Sequence, residues 1–164
     1  ILTNLSDIEE RVSTFATSCA EKLRIRNSCC TSLLVFVRSD PFKKEQQYSN
    51  SCVIQLSNAS NSSLILSKQA IYGLRKIFKP GISYKKAGVL ALGLTSKENH
   101  QLNIFEPNIV RHDSLMKAID AINHRHGPNR IKLANQDLNR VWKMKQNNLS
   151  PKFTTVLEDI IKVK

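Results

Sequence analysis

The chain has 164 residues, 41 % apolar and 23 % charged, with only five Gly and five Pro, a globular composition that excludes a disordered or fibrous chain. Lys and Arg total 25 against 13 Asp and Glu, so a formal charge of +12 favours polyanionic partners. The longest apolar runs, Leu33–Val37 and Gly88–Leu94, are far too short to cross a bilayer, and the first residues lack the basic flank and apolar stretch of an export signal.

Ser6-Asp7-Ile8-Glu9 has capping-box spacing and predicts a helix start. Ile8, Val12, Phe15, Cys19 and Leu23 then recur at steps of three and four, one apolar helix face that runs out near Arg24 to Asn27. Cys30 to Arg38 is rich in β-branched and aromatic residues and reads as a strand, closed by Asp40-Pro41. Asn50 to Leu56 reads as a second strand, antiparallel to the first across a polar loop holding Lys43, Lys44 and Tyr48. Ser57 to Ser63 reads as a loop ending in a serine helix cap. Leu66, Ala70, Leu74 and Ile77 place a helix after it, with Lys68, Arg75, Lys76 and Lys79 on other faces and Pro80-Gly81 as its stop.

Lys85 to Leu94 is the next strand. The order helix, strand, strand, helix, strand predicts an α+β sandwich, a mixed sheet with two helices on one face. A strand before the first helix would complete a split βαβ arrangement, and Ile1-Leu2-Thr3 reads as the end of a truncated one. Thr95 to Val110 reads as a polar linker around one apolar peptide, Gln101-Leu102-Asn103-Ile104-Phe105. Leu115, Ile119 and Ile122 mark a helix over Asp113 to Asn123, Arg130 to Ala134 has the pattern of a short strand, and Val156 to Val163 is a short apolar stretch. The expected division is therefore 1–96, a linker over 97–110, and a small mainly helical unit over 111–164.

Charge is unevenly placed. No acidic residue occurs between Glu45 and Glu98, whereas Lys68, Arg75, Lys76, Lys79, Lys85, Lys86 and Lys97 all fall there. Soluble surfaces usually mix both signs, so this interval points to a phosphate-facing surface. Ribosomal, membrane-surface and DNA-binding proteins share that signature. Cys19, Cys29, Cys30 and Cys52 lack C-x-x-C spacing, and His124-x-His126 and Cys29-Cys30 lack the paired loop spacing of a structural zinc site. They read as reduced cysteines of a cytosolic protein and as a cationic helix end. No Gly-rich phosphate loop, G-x-S-x-G or H-E-x-x-H is present.

The tail, Trp142-Lys143-Met144-Lys145 and Leu149-Ser150-Pro151-Lys152-Phe153-Thr154-Thr155, resembles the end of the UmuC family of Y-family translesion DNA polymerases, with Phe153 where the family commonly has tyrosine. Ala20-Glu21-Lys22-Leu23-Arg24, Ser39-Asp40-Pro41-Phe42 and Tyr84-Lys85-Lys86-Ala87-Gly88-Val89 resemble that family's little finger, so the likeness runs along the whole chain in register. It implies a little-finger DNA-binding domain over 1–96, a clamp-binding peptide in the linker and a tail domain, from an error-prone polymerase of the SOS response. Phosphate contacts then fall to Lys85 and Lys86 first, with Arg38, Lys43 and Lys44 next. Gln101-Leu102-Asn103-Ile104-Phe105 resembles the family's clamp-binding pentapeptide. Leu102, Ile104 and Phe105 would fill an apolar groove of the sliding clamp while the Gln101 amide sets the register; packing between the two domains is the competing use of the same side chains.

The resemblance further implies template-primer DNA, the sliding clamp, a RecA filament and processed UmuD as partners, at the nucleoid in the cytoplasm. Trp142 and Phe153 are expected in the core of the tail domain. The acidic residues are scattered, so the palm that would hold Mg2+ for nucleotidyl transfer is expected to lie outside this stretch, which carries no cofactor and no catalytic residue of its own. A free-standing basic module that binds nucleic acid, RNA included, is the alternative reading of the same charge.

Overall fold

A computed structural model of the chain describes residues 2–43, 46–99, 109–136 and 150. The elements, in order, are helix α1 (Leu5–Ile25), strands β1 (Ser28–Ser39) and β2 (Ser49–Ser60), helix α2 (Ser63–Ile77), strand β3 (Tyr84–Ser96), a 3-10 turn (Lys97–Asn99) and helix α3 (Ile109–His126). The α+β class and the two-helix layer agree with the sequence reading. The sheet has the order β2-β1-β3, with β1 in the centre and antiparallel to both neighbours. It is therefore antiparallel among the described strands, where a mixed sheet was expected. The physical reason lies in the crossovers: β2 and β3, joined through α2, run in the same direction but are separated by β1. Leu2 bridges Tyr84 antiparallel, exchanging two backbone hydrogen bonds at 2.9 and 2.8 Å, and so stands to β1 as β2 does to β3. Both crossovers are split βαβ units.

The core forms because strand period two and helix period 3.6 both point at one layer. Leu33, Val35 and Val37 of β1 and Ile54 of β2 meet Ile8, Val12, Ala16 and Ala20 of α1 and Leu66, Ala70, Leu74 and Ile77 of α2, all buried. Removing each large side chain of this set from water contributes about 1.5–3 kcal/mol. Small residues at the helix contact, Ala16, Ala20, Ala70 and Gly73, are what let both helices lie close to the strands. A Cβ on Gly73 would overlap Ile54 Cδ1 and approach Val35 Cγ2 to 3.3 Å. Where α1 faces α2, the buried hydroxyls of Ser13 and Ser67 pair at 2.9 Å, and Asn135 Nδ2 donates to Ser67 Oγ at 2.5 Å. Tyr84, 2 % exposed, accepts from the Lys79 backbone N–H (2.8 Å) and donates to its carbonyl (3.1 Å), which closes the turn through Pro80-Gly81.

Four local expectations are corrected. The capping box at Ser6 is not used: α1 begins at Leu5 behind Asn4, and Glu9 reaches across to Arg75 at 2.6 Å, an ion pair outcompeting a local turn. Ser62 holds the N-cap place of α2, but its hydroxyl pairs with His112 Nδ1 at 3.0 Å. Ser57 to Ser60 is strand, since pairing across an irregularity whose extra residues lie in β2 aligns Cys30 with Ser60 and overrides the low propensity of the segment. Arg130 to Ala134 is turn and bend, because Asn123 satisfies both backbone groups of Ile131, accepting from its N–H (2.9 Å) and donating to its carbonyl (3.1 Å), in place of a ladder.

Helix α3 is fastened to the rest by Arg24. Its guanidinium is forked on Asp120 (Nε to Oδ2 2.6 Å, Nη2 to Oδ1 2.7 Å) and also donates to the Asn61 carbonyl (2.7 Å) and to Ser63 Oγ (3.0 Å). Lys97 pairs with Asp113 at 2.6 Å, and Met116 is buried. Gly73→Val, which adds bulk where α2 meets the sheet, is expected to lower the unfolding free energy by about 1–3 kcal/mol in urea titration.

Candidate nucleic-acid interface

Two helices cover one face of the sheet, and the register defines the other. Residues directly opposite in an antiparallel pair share a face. With Leu33, Val35 and Val37 turned to the helices, the outward rows across β2, β1 and β3 are Ser49-Arg38-Lys86, Ser51-Phe36-Gly88, Val53-Leu34-Leu90 and Gln55-Ser32-Leu92. Three properties stand out. The Phe36 ring lies over Gly88, where a Cβ would come within 2.5 Å of Phe36 Cζ, so that row is flat. Next to it, Val53 and Leu90 are about half exposed, at 51 % and 46 %. At the end of the strip, Arg38 and Lys86 stand side by side.

Like charges directly opposite on a sheet destabilise it by a few tenths of a kcal/mol or more. Both Arg38 and Lys86 are exposed, and neither has an ion-pair partner among the described residues. A cation pair on backbones about 5 Å apart offers an anion donors from two neighbouring strands, and the carboxylate at this end of the sheet, Asp40, is taken up by Lys85. Lys85 differs. It sits where the register between β1 and β3 shifts, and its ammonium donates to Asp40 Oδ2 at 2.6 Å. That bond, with a second from the Phe42 backbone N–H at 3.2 Å, holds the Asp40 carboxyl below its ordinary pKa, so Asp40 is a carboxylate at neutral pH. Arg38, Ser39, Pro41, Phe42, Lys85 and Lys86 line one open groove at this end, and Phe42 is 92 % exposed.

Of the residues expected from the sequence to contact phosphate, Arg38, Lys85 and Lys86 thus come together at one end of the open face, two of them unpaired and one held by Asp40. Lys43 is exposed in the adjoining turn, and Lys44 lies outside the described residues. Gln101, Leu102, Ile104, Phe105, Trp142 and Phe153 also lie outside them. Sequence reading missed the apolar strip of Leu34, Phe36, Val53 and Leu90. The signal was there in the positions of β1 between its buried ones, but it needed the strand order to be read.

Other chemistry has little material among the described residues, which hold no group of three or more His, Cys, Asp or Glu able to bind a metal ion. The cysteines there are free thiols; Cys29 and Cys30 are buried. Burial raises the pKa of Cys19 and Cys29, and pushes Cys30 up to about 11, where neighbouring thiols add to the effect, so none of these three is a thiolate at neutral pH. No described helix is long and apolar enough to cross a membrane.

Fold and face together define a class: an α+β sandwich with split βαβ crossovers, helices on one side and a basic, partly apolar sheet surface open on the other. The chain belongs to the impB/mucB/samB family, whose C-terminal domain matches residues 2–104. A domain of unknown function, DUF4113, matches residues 113–163. Among curated proteins, the chain is 33 % identical to protein UmuC of Salmonella typhimurium over 166 residues, covering 99 % of the chain and 39 % of that protein. It is 34 % identical to protein MucB of Escherichia coli over 154 residues, covering 92 % of the chain and 36 % of that protein. It is 32 % identical to protein ImpB of Salmonella typhimurium over 162 residues, covering 97 % and 38 %. The chain spans about two fifths of the length of the curated relatives it matches.

Proposed function

We propose that this chain is the non-catalytic C-terminal region of an error-prone translesion DNA polymerase, in which the open sheet face grips the template-primer duplex. The observation that carries this reading is the unpaired Arg38 and Lys86 couple beside the flat Phe36-Gly88 row. Cations placed in register on a rigid sheet contact phosphates whatever the base sequence, as an enzyme that copies damaged templates requires. The apolar strip beside them excludes water from those contacts and strengthens them. In this reading the units are a little finger over 1–96, a linker over 97–110 and a tail domain over 111–164. The Mg2+-dependent chemistry belongs to a palm outside this stretch. Membership in the family of UmuC and MucB, and the likeness along nearly the whole chain, support it over a free-standing basic module.

The same reading gives Gln101, Leu102, Ile104 and Phe105 to the sliding clamp, and the tail to a RecA filament and processed UmuD during SOS mutagenesis. Among the described residues, Asn99 and Ile109 flank the interval that holds the peptide, and Lys97 pairs with Asp113 across it.

Fluorescence anisotropy with a labelled primer-template duplex tests the grip. Arg38→Glu/Lys86→Glu is expected to weaken binding at least tenfold and to reduce the slope of log affinity against log salt by about 1.8, two phosphates' worth. Unchanged affinity would overturn the assignment of the sheet face. In the same assay Asp40→Asn, which releases Lys85, is expected to tighten binding severalfold; a loss would place Lys85 in a purely structural pair. Titration against a purified sliding clamp tests the peptide: Gln101→Ala/Phe105→Ala is expected to weaken binding more than tenfold, and equal affinity would assign those side chains to packing between the domains instead.

A further inference from the structure

The charge of this chain is not spent on the sheet face alone. Helix α2 buries Leu66, Ala70, Gly73, Leu74 and Ile77, so Lys68, Tyr72 and Lys76, each four residues apart, form one row on its opposite, exposed side. Lys79 follows just past the helix end and is exposed as well. The row stretches over about 12 Å from Lys68 to Lys76, on the order of two phosphate spacings of an extended strand. Helix α2 carries no acidic residue, and Lys68, Lys76 and Lys79 have no carboxylate partner among the described residues. Two of them rest on rings instead, Lys76 Nζ 4.4 Å from the Tyr72 centroid and Lys79 Nζ 4.8 Å from the Tyr48 centroid. A ring positions an ammonium without neutralising it. The one cation of this helix that is neutralised, Arg75, is turned to Glu9 of α1 and marks the border of the row.

We infer that this row is a second nucleic-acid site, one that takes a single strand. It lies on the helix side of the sandwich, away from the open sheet face, with a full helix layer of about 10 Å between them, so one straight duplex cannot touch both. Its chemistry suits unpaired bases. Tyr72 is 52 % exposed at the centre of the row; a base stacks on the ring face that Lys76 leaves or displaces Lys76 toward a phosphate, and the lysines on either side meet the phosphates that flank it. An acidic protein segment would need an apolar pocket to anchor it, whereas the centre of this row is a single exposed ring, Tyr72. The site is independent of the duplex grip: either can fail without the other.

The test uses the whole chain and two probes, labelled oligo-dT and a labelled duplex, in anisotropy titrations over a range of salt. Lys68→Glu/Lys76→Glu removes as much positive charge as Arg38→Glu/Lys86→Glu, so each is the control for the other. The α2 variant is expected to lose oligo-dT affinity at least tenfold, with a salt slope reduced by about 1.4, and to hold duplex affinity within about twofold; the sheet variant does the reverse. Tyr72→Ala leaves the charge unchanged and is expected to weaken oligo-dT about tenfold or more through lost stacking. All three substitutions are at exposed positions, and an unchanged thermal midpoint verifies the fold. Equal losses on both probes in both double variants, or oligo-dT affinity untouched by the α2 substitutions, would overturn the site. Loss of binding to an oligoglutamate peptide with oligo-dT unaffected would reassign the row to an acidic protein partner and also overturn it.

Discussion

Two helices can cover only one face of a sheet, and the central strand β1 is written for two different neighbours. Its odd positions from Leu33 to Val37 are branched and disappear under α1 and α2; its even positions from Ser32 to Arg38 lie on the other face and pass from a buried polar residue through half-buried apolar and aromatic ones to an exposed cation. A slip of one residue would exchange the two sets, burying Arg38 without a partner and exposing the valines. The core therefore fixes the register, and the register brings Arg38 beside Lys86 and Phe36 over Gly88. The stability of the interior and the chemistry of the surface are two consequences of the same alternation.

The electrostatic plan follows from where carboxylates are missing. Five of the cations near the open face or on α2 are shared out by the fold in distinct ways: Lys85 goes to Asp40 and Arg75 to Glu9, whereas Arg38, Lys86 and Lys68 have no such partner among the described residues. A short stretch free of acidic residues would scatter positive charge over any fold. Here the sandwich sorts it to opposite sides. Arg24, by contrast, is committed to structure, because its fork on Asp120 and the Asn61 carbonyl consumes the donors that a phosphate would need.

Much of this was legible in the sequence because strong periodicity and local punctuation coincide. Leu66, Ala70, Leu74 and Ile77 located α2, Pro80-Gly81 ended it, and the β-branched run from Cys30 located β1. Interactions distant in sequence were not legible. The choice of Glu9 for Arg75 over its own helix start and of Ser62 for His112 each replaces a local hydrogen bond by a tertiary one, and Asn123 takes the backbone of Ile131, eight residues on, in place of a ladder. For the same reason the nearness of Arg38, Lys85 and Lys86 is legible from their places at strand ends, while the Asp40 contact that distinguishes Lys85 from Lys86 cannot be read from adjacent letters. Strand direction was misread because a mixed sheet and two interleaved split βαβ units have the same element order.

The central claim is that the duplex lies on the uncovered face of the sheet, and mapping amide chemical shifts of the isotope-labelled chain during titration with a short duplex addresses it most directly. The account predicts that perturbations concentrate on Ser32 to Arg38, Ser49 to Gln55 and Lys86 to Leu92, with α1 unmoved. Perturbations confined to the helices, with those three strand segments silent, would contradict it.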